Sequence, residues 1–374
     1  MEQIVISGTG VFTPEESITN KELVKAYNSY AETYNSNNKV DISRGNKIAL
    51  ELSSEEFIYK ASGIKSRYVM DKKGILDPDI MHPILDKRSN DEPSILAEMS
   101  VKAAKKAMDS AGKTSNDIDA VITACSNLER AYPAISIEVQ QLLGVSGFAF
   151  DMNVACSSAT FAIQAAADMI RSGSAKTILI VNPEICSGHL DFKDRDCHFI
   201  FGDVCTALIL ESKETAKSNN SFEIVSTKCI TQFSNNIRNN FGFLNNAKKS
   251  SPLDRDLLFM QEGRKVFKEV VPMVSQLITD HIEKEKIKTA DIKRLWLHQA
   301  NKSMNDFIGK KVLGRAPEDH EQPNILQDYA NTSSAGSIIA FSLYSEDMKN
   351  DEIGVLCSFG AGYSAGSIIL KKTS

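Results

Sequence analysis

Cys156, His298 and Asn331 carry side chains able to do chemistry, and each stands at a turn beside the start of a helix. Phe148 to Asn153 reads as a strand and Ser157 onward as a helix, which leaves Cys156 in the elbow between them. Unpaired N–H groups and a positive dipole end stabilise a thiolate there, so this position is expected to lower the thiol pKa. The other reading of a lone cysteine is a small buried hydrophobe. The remaining six cysteines lie in or beside apolar runs or loops without such a helix start, and for them that reading holds. His298 closes the strand Leu295-Trp296-Leu297 and precedes a helix. Asn331 lies in Tyr329-Ala330-Asn331-Thr332-Ser333-Ser334-Ala335-Gly336, read as a second strand-to-helix turn. Taken singly, Asn331 also reads as a helix cap and His298 as a hydrogen-bonded core residue.

The elements that would bring these residues together repeat along the chain. Asp117-Ile118-Asp119-Ala120 resembles Asp291-Ile292-Lys293-Arg294, 174 positions on. Cys156-Ser157-Ser158-Ala159 resembles Thr332-Ser333-Ser334-Ala335, 176 positions on. Phe201-Gly202-Asp203 through Leu210 resembles Phe359-Gly360-Ala361 through Leu370. Three pairs in one order argue for a duplicated α/β unit, residues 1–215 and 216–374, with polar surface insertions near 35–50 and 71–93. A pseudo-twofold would then carry both elbows to one central cleft. A helix is predicted over Ala159 to Arg171, with Ser157 and Ser158 capping its start and Gly173 just past its end. Another is predicted over Glu262 to Ile282, with Val266, Val270, Met273, Leu277 and Ile278 along one face.

Composition narrows the function. The 374 residues are 42% hydrophobic and 24% charged, enough to build a large core, and the net charge of -5 argues against a nucleic-acid binder. Apolar runs are of strand length, so no membrane span is expected, and the N-terminus has no signal-peptide pattern. An odd set of seven cysteines reads as free thiols in the cytoplasm. No zinc pattern is present, the polar run His189, Asp191, Asp194, Asp196 and His198 has no ligand spacing, and Gly8-x-Gly10 lacks its third glycine. No metal and no cofactor are expected.

Asn153-Val154-Ala155-Cys156-Ser157-Ser158-Ala159, His298-Gln299-Ala300-Asn301 and Asn331-Thr332-Ser333-Ser334-Ala335 together resemble the β-ketoacyl-ACP synthase III family, and the likeness runs from Gly8-Thr9-Gly10 to Phe359-Gly360-Ala361-Gly362. Arg88 to Glu92, Asn127 to Pro133 and Asn182 to His189 look like the longer β-ketodecanoyl-ACP synthase subgroup, which primes with a medium-chain acyl-CoA such as octanoyl-CoA.

The resemblance implies a thiolase fold of five α-β-α-β-α layers and a ping-pong condensation in fatty-acid biosynthesis. Cys156 would accept an acyl group, and a malonyl thioester on acyl carrier protein would then lose carbon dioxide and attack it. His298 and Asn331 would donate to the enolate oxygen, and backbone N–H groups of Cys156 and Ala361 would form the oxyanion hole, Ala361 replacing the family's usual glycine. Phe359 would pack beside the nucleophile. Tyr132 would reach across a homodimer to cap the acyl pocket, or pack as a loop tyrosine on its own subunit. Arg195 and Asn301 match CoA-binding positions, whereas Phe57, Ala61 and Ser303 depart from the family's tryptophan and arginines, which leaves an acyl-ACP donor open. Lys268, Lys310 and Lys311 match carrier-docking positions, or form a solvated helix face. A degradative thiolase is disfavoured, since no second cysteine stands just before the C-terminal glycines, where Ser358 and Phe359 precede Gly360, and since the histidine motif differs. A head-to-head or resorcinol-forming condensing enzyme and a catalytically silent partner subunit remain as alternatives.

Overall fold

The runs Ala120–Ala124, Thr177–Ile185 and Asp203–Ser212 are buried along nearly their whole length, as strands covered on both faces must be. The computed structural model describes residues 2–247, 251 and 253–373. Among them, nine strands form one sheet: β1 Ile4–Phe12, β2 Ala120–Ala124, β3 Phe148–Met152, β4 Thr177–Ile185, β5 Asp203–Ser212, β6 Phe222–Ser234, β7 Ile292–Leu297, β8 Ile353–Gly360 and β9 Gly362–Lys372. Their order is β7-β8-β9-β6-β1-β5-β4-β2-β3. Outward from the centre, β1-β5-β4-β2 on one side answers β6-β9-β8-β7 on the other. The pairing types match as well: β2 and β4 are parallel, like β7 and β8, and β4 and β5 antiparallel, like β8 and β9. Within the sheet, the two sides are joined by the pairs Val5 opposite Glu223 and Ile6 opposite Phe222.

Six helices complete the layers. Helices α1 (Ile95–Ala111) and α2 (Ile135–Leu143) cover the outer face of the first side, and α4 (Gly263–Lys284) and α5 (Lys302–Leu313) that of the second. Helices α3 (Ser158–Arg171) and α6 (Gly336–Leu343) lie in the middle, sharing one core with strands of both sides. That central core runs from Ile4 and Ile122 through Ala162 and Ile163 to Trp296, Ile338 and Leu356. The result is five layers, α-β-α-β-α. Among the described residues, no helix is long and apolar enough to cross a membrane.

Local outcomes refine the sequence reading. Helix α3 spans the expected residues and Gly173 beyond it is left-handed, at φ 75°. Its serines do not cap it. Ser157 Oγ donates instead to Ser364 O on β9 (2.9 Å), and Ser158 Oγ to Ala155 O (2.7 Å), because both hydroxyls are buried between the two sides of the molecule. Helix α4 buries Val266, Val270, Leu277 and Ile278 as expected, and tolerates Pro272 within it. Asn331 does not follow a strand. Residues Leu326–Tyr329 are helical, started by Asn324 Oδ1 accepting from Leu326 N (3.0 Å). The two polar stretches form short helices, Lys39–Ser43 and Lys72–Leu76, and the second anchors itself by burying Ile75 and Met81.

Candidate active site

Residues Asn153 to Ser158 form the nucleophile elbow. Asn153 Oδ1 accepts from Ala155 N (2.9 Å), and Ala155 is left-handed at φ 47°. Such a conformation in a residue with a Cβ is costly and is typical of functional turns. The bonds Ser157 N to Val154 O and Ser158 N to Ala155 O then open α3. Cys156 thereby lies at the helix start, with Gly360 directly against it. A Cβ on Gly360 would lie 2.7 Å from Cys156 Cβ, so glycine is needed there for room. Burial pushes the thiol up to about 11, while the Ser333 hydroxyl and the backbone N–H groups of Cys156 and Ala361 pull the other way. Burial and the Glu184 carboxylate thus act against the lowering expected from the helix start. Ser333 Oγ donates to the sulfur across 3.3 Å.

His298 and Asn331 come from the second half. His298 leaves β7 with its N–H bonded to Cys357 O (2.8 Å), and its ring meets Phe359 edge-on, centroids 5.2 Å apart. Burial lowers its pKa to about 4, so the ring is neutral at pH 7 and has one N–H to donate. Asn331 N donates to Ile200 O (3.0 Å), and its Oδ1 accepts from Ser333 N (2.9 Å). With the oxygen engaged, the amide nitrogen is the end left to donate. Cys156, His298, Asn331, Phe359 and Phe201 line one cavity of about 400 Å³. A thiol, two neutral donors and two backbone N–H groups in an enclosed apolar space suit acyl transfer followed by stabilisation of an oxyanion.

The two elbows share a backbone pattern, though not in the register that sequence similarity gave. Asn331 Oδ1 accepts from the N–H two residues on, as Asn153 Oδ1 does, and Ser333 at φ 49° answers Ala155 at φ 47°. Ala335 N bonds to Thr332 O as Ser157 N bonds to Val154 O, and α6 starts where α3 does. The offset is 178 positions, so Cys156 answers Ser334 and Asn153 answers Asn331. The 176-position match followed a chance Ser-Ser-Ala identity, whereas backbone turns define equivalence. By strand register, Ala120 opposite Ile178 answers Arg294 opposite Gly354, which sets Ala124 against His298 and Glu184 against Gly360.

The outer positions are more dispersed. Tyr132 is 85% exposed and lines a separate cavity of about 830 Å³ beside α1 and α2, not the one holding Cys156. Arg195 lies flat on Phe57, 4.0 Å from the ring centre, held by Leu52 O (2.8 Å) and Glu51 (3.5 Å). Asn301 lines the nucleophile cavity but its side chain is engaged twice, accepting from Met304 N (3.3 Å) as the cap of α5 and donating to Ala61 O (2.6 Å). Lys268 on α4 and Lys310 and Lys311 on α5 are exposed, and the two helices pack with Phe267 edge-on to Phe307. Sequence reasoning quoted Ser333 only as part of a motif and missed Glu184. A lone carboxylate at the end of an otherwise buried strand was the available signal.

Two mirrored sheet halves around two central helices, with a cysteine at one helix start and an asparagine at the other, define a condensing enzyme of the thiolase fold. A model of 3-oxoacyl-[acyl-carrier-protein] synthase III matches residues 150–232, and one of its C-terminal part matches residues 282–372. A β-ketodecanoyl-[acyl-carrier-protein] synthase from Pseudomonas aeruginosa is 59% identical over 93% of this chain and 100% of its own. A β-ketoacyl-[acyl-carrier-protein] synthase III from Clostridium perfringens is 29% identical over 99% and 100%. The crystal structure of 3-oxoacyl-[acyl-carrier-protein] synthase III from Aquifex aeolicus superposes with a TM-score of 0.77 at 22% identity, covering 98% of this chain and 99% of that one. The chain belongs to the β-ketoacyl-ACP synthase III family and is an acyltransferase of the condensing kind.

Proposed function

We propose that this enzyme primes with a medium-chain acyl-CoA, octanoyl-CoA being the representative case, and extends it with malonyl-ACP. Cys156 gives up its thiol proton and its sulfur attacks the thioester carbonyl, the C–S bond to CoA breaks, the departing CoA thiolate takes up that proton, and the acyl group rests on Cys156. Malonyl-ACP then loses carbon dioxide. The electron pair left behind forms an enolate whose oxygen takes N–H donors from His298 and Asn331, and its carbon attacks the acyl carbonyl. The tetrahedral oxyanion faces the N–H groups of Cys156 and Ala361, and the thiolate departs to release a β-ketoacyl-ACP. The observation that carries this reading is the meeting of Cys156, His298 and Asn331 in one cavity, with neutral donors opposite a thiol. Chain length rests on the likeness to the Pseudomonas aeruginosa relative. The lysines of α4 and α5 offer a positive face to an acidic carrier protein. A homodimer fits β3, the sheet's outermost strand, whose outer edge is unpaired and whose Phe148 is 40% exposed. Tyr132 would meet the partner there. The seven free cysteines suit the cytoplasm.

One observation favours a second donor. Arg195 is spent on the Phe57 ring, Leu52 O and Glu51, and Asn301 on Met304 N and Ala61 O, so neither side chain is free for a nucleotide, which suits an acyl-ACP donor. Intact-protein mass after incubation with acyl-CoAs from acetyl to decanoyl, and separately with octanoyl-ACP, tests both readings. An octanoyl adduct from CoA, absent in Cys156→Ala, is the expected result. An adduct from ACP alone would move the donor, an acetyl adduct would shorten the primer, and no adduct would overturn the mechanism.

A further inference from the structure

Glu184, at the end of β4, is 1% exposed, and among the described residues it forms no ion pair with a lysine, arginine or histidine. Its Oε1 accepts from Ser126 N (2.9 Å), Ser334 N (3.2 Å) and the Ser334 hydroxyl, and its Oε2 from Ser126 Oγ (2.5 Å). The two serines belong to different halves of the molecule. Ser126 O accepts from Asn153 Nδ2 (2.9 Å), which ties it to the nucleophile elbow. Ser334 follows Ser333, which bonds both Cys156 Sγ and Asn331 Oδ1. Glu184 thus lies where both elbows can be held at once.

Symmetry shows what the position is for. Ser334 is the counterpart of Cys156, and Glu184 that of Gly360. Around the nucleophile, glycine leaves the space open. Around Ser334, a carboxylate fills it. We infer that Glu184 is a positioning residue of the condensing site, a buried negative charge that closes the twin of the catalytic cavity and holds the Asn331–Ser334 elbow in register with Cys156. The inference rests on the catalytic reading given above.

The charge acts beyond its hydrogen bonds. Glu184 is among the groups that raise the Cys156 thiol. The other groups facing Glu184 are Ser126, Ser334 and the thiol of Cys186, 3.8 Å from Oε2. Cys125 lies in its field, Asp203 acts with it on Cys186, and burial raises the Glu184 carboxyl while the bonds from Ser126 and Ser334 lower it. It therefore helps keep the nucleophile protonated.

Glu184→Gln separates charge from shape. An amide oxygen at the Oε1 position keeps three of the four bonds, and the amide nitrogen at the Oε2 position donates to Ser126 Oγ. Iodoacetamide labelling of Cys156, followed by peptide mass mapping between pH 6 and 9, is read together with condensation kinetics. Labelling of Glu184→Gln is expected to run several-fold faster than wild type throughout, since removing a nearby negative charge lowers the thiol pKa. Its condensation kcat is expected to fall about tenfold with KM for the acyl donor unchanged, since Glu184 does not line the cavity. Ser334→Ala keeps the charge and cuts the link to the second elbow. There kcat should fall while labelling stays within about twofold of wild type. If Glu184→Gln does not fold, the Ser334→Ala result decides alone. Unchanged labelling in Glu184→Gln, or wild-type condensation in Ser334→Ala, would overturn the inference. Labelling needs no substrate, so a wild type that accepts no acyl donor would defeat the catalytic reading and still leave the test of the charge intact.

Discussion

The catalytic cavity and its twin across the pseudo-twofold are built on one backbone plan and differ in what fills them. On one side Cys156, His298 and Asn331 line open space, with Gly360 packed against Cys156 where a side chain would not fit. On the other, Ser334 is bonded to the Glu184 carboxylate and to Ala124 O, and Asn153 bonds to Ser126 O beside it. A duplicated frame therefore does not give two sites. It gives two equivalent strained elbows, of which one supplies the nucleophile and the other lends its asparagine to the same cavity. The difference lies at three positions, Cys156 against Ser334, His298 against Ala124 and Gly360 against Glu184, and the asparagine is common to both.

The largest effect is expected from filling the open side. Gly360→Val places atoms on Cys156, and both acylation and condensation should fall by about three orders of magnitude or more, read by adduct formation and steady-state rates. Acylation at the wild-type rate would show that the cavity is not held open by glycine. Next is the asparagine on loan from the second elbow. Asn331→Ala should lower condensation by about 10²–10³ and leave octanoylation of Cys156 within a few-fold, because its amide is needed only where enolate charge develops. An equal loss in both half-reactions would move Asn331 into the acylation step. The thiol itself gives a smaller, graded signal. With burial holding it at about 11, labelling by iodoacetamide should rise about tenfold per pH unit from pH 6 to 9 without a plateau. A plateau near pH 7 would mean that the helix end wins over burial.

The smallest effect reaches both sides alike. Burial lowers His189, His198, His281 and His298 to about 4 from an ordinary value near 6.5. Below pH 6.5 the unfolded chain binds protons that the folded one refuses, so stability falls as pH drops from 6.5 toward 4 and is unaffected by these rings above 6.5. Asp203, raised to about 6 by burial, works in the opposite sense. A drop in melting temperature on the order of 5 °C between pH 7 and pH 5 is expected by scanning fluorimetry. A flat profile over that range would place compensating carboxylates ahead of the rings.

Much of this was legible in the sequence. Cysteine, histidine and asparagine each beside a helix start, in the right order, carried the site, and alternating strands and helices carried the fold class. What failed did so for physical reasons. Letter similarity aligned Cys156 with Thr332, because serine and alanine recur at helix starts whatever the backbone does. Ser157 and Ser158 looked like caps, but Ser157 is already helical, at φ -92° and ψ 0°, and its hydroxyl is spent on Ser364 O. The thiol pKa was misjudged because sequence shows a helix start and does not show burial. Glu184 showed only as a carboxylate at the end of an apolar strand, and its role was not readable because its four donors come from segments 58 and 150 residues away.

The central helix α3 also has a consequence in time. It touches both halves: Thr160 lies against Gly366 of β9, and Ser157 bonds to Ser364. On a ribosome adding roughly 5–20 residues per second, the last strand emerges roughly 10–40 s after α3. For that interval the nascent first half presents an uncovered face of α3, rich in alanine and isoleucine, to whatever surrounds it. Order of synthesis, rather than final stability, then sets when this chain is most prone to stick to its neighbours.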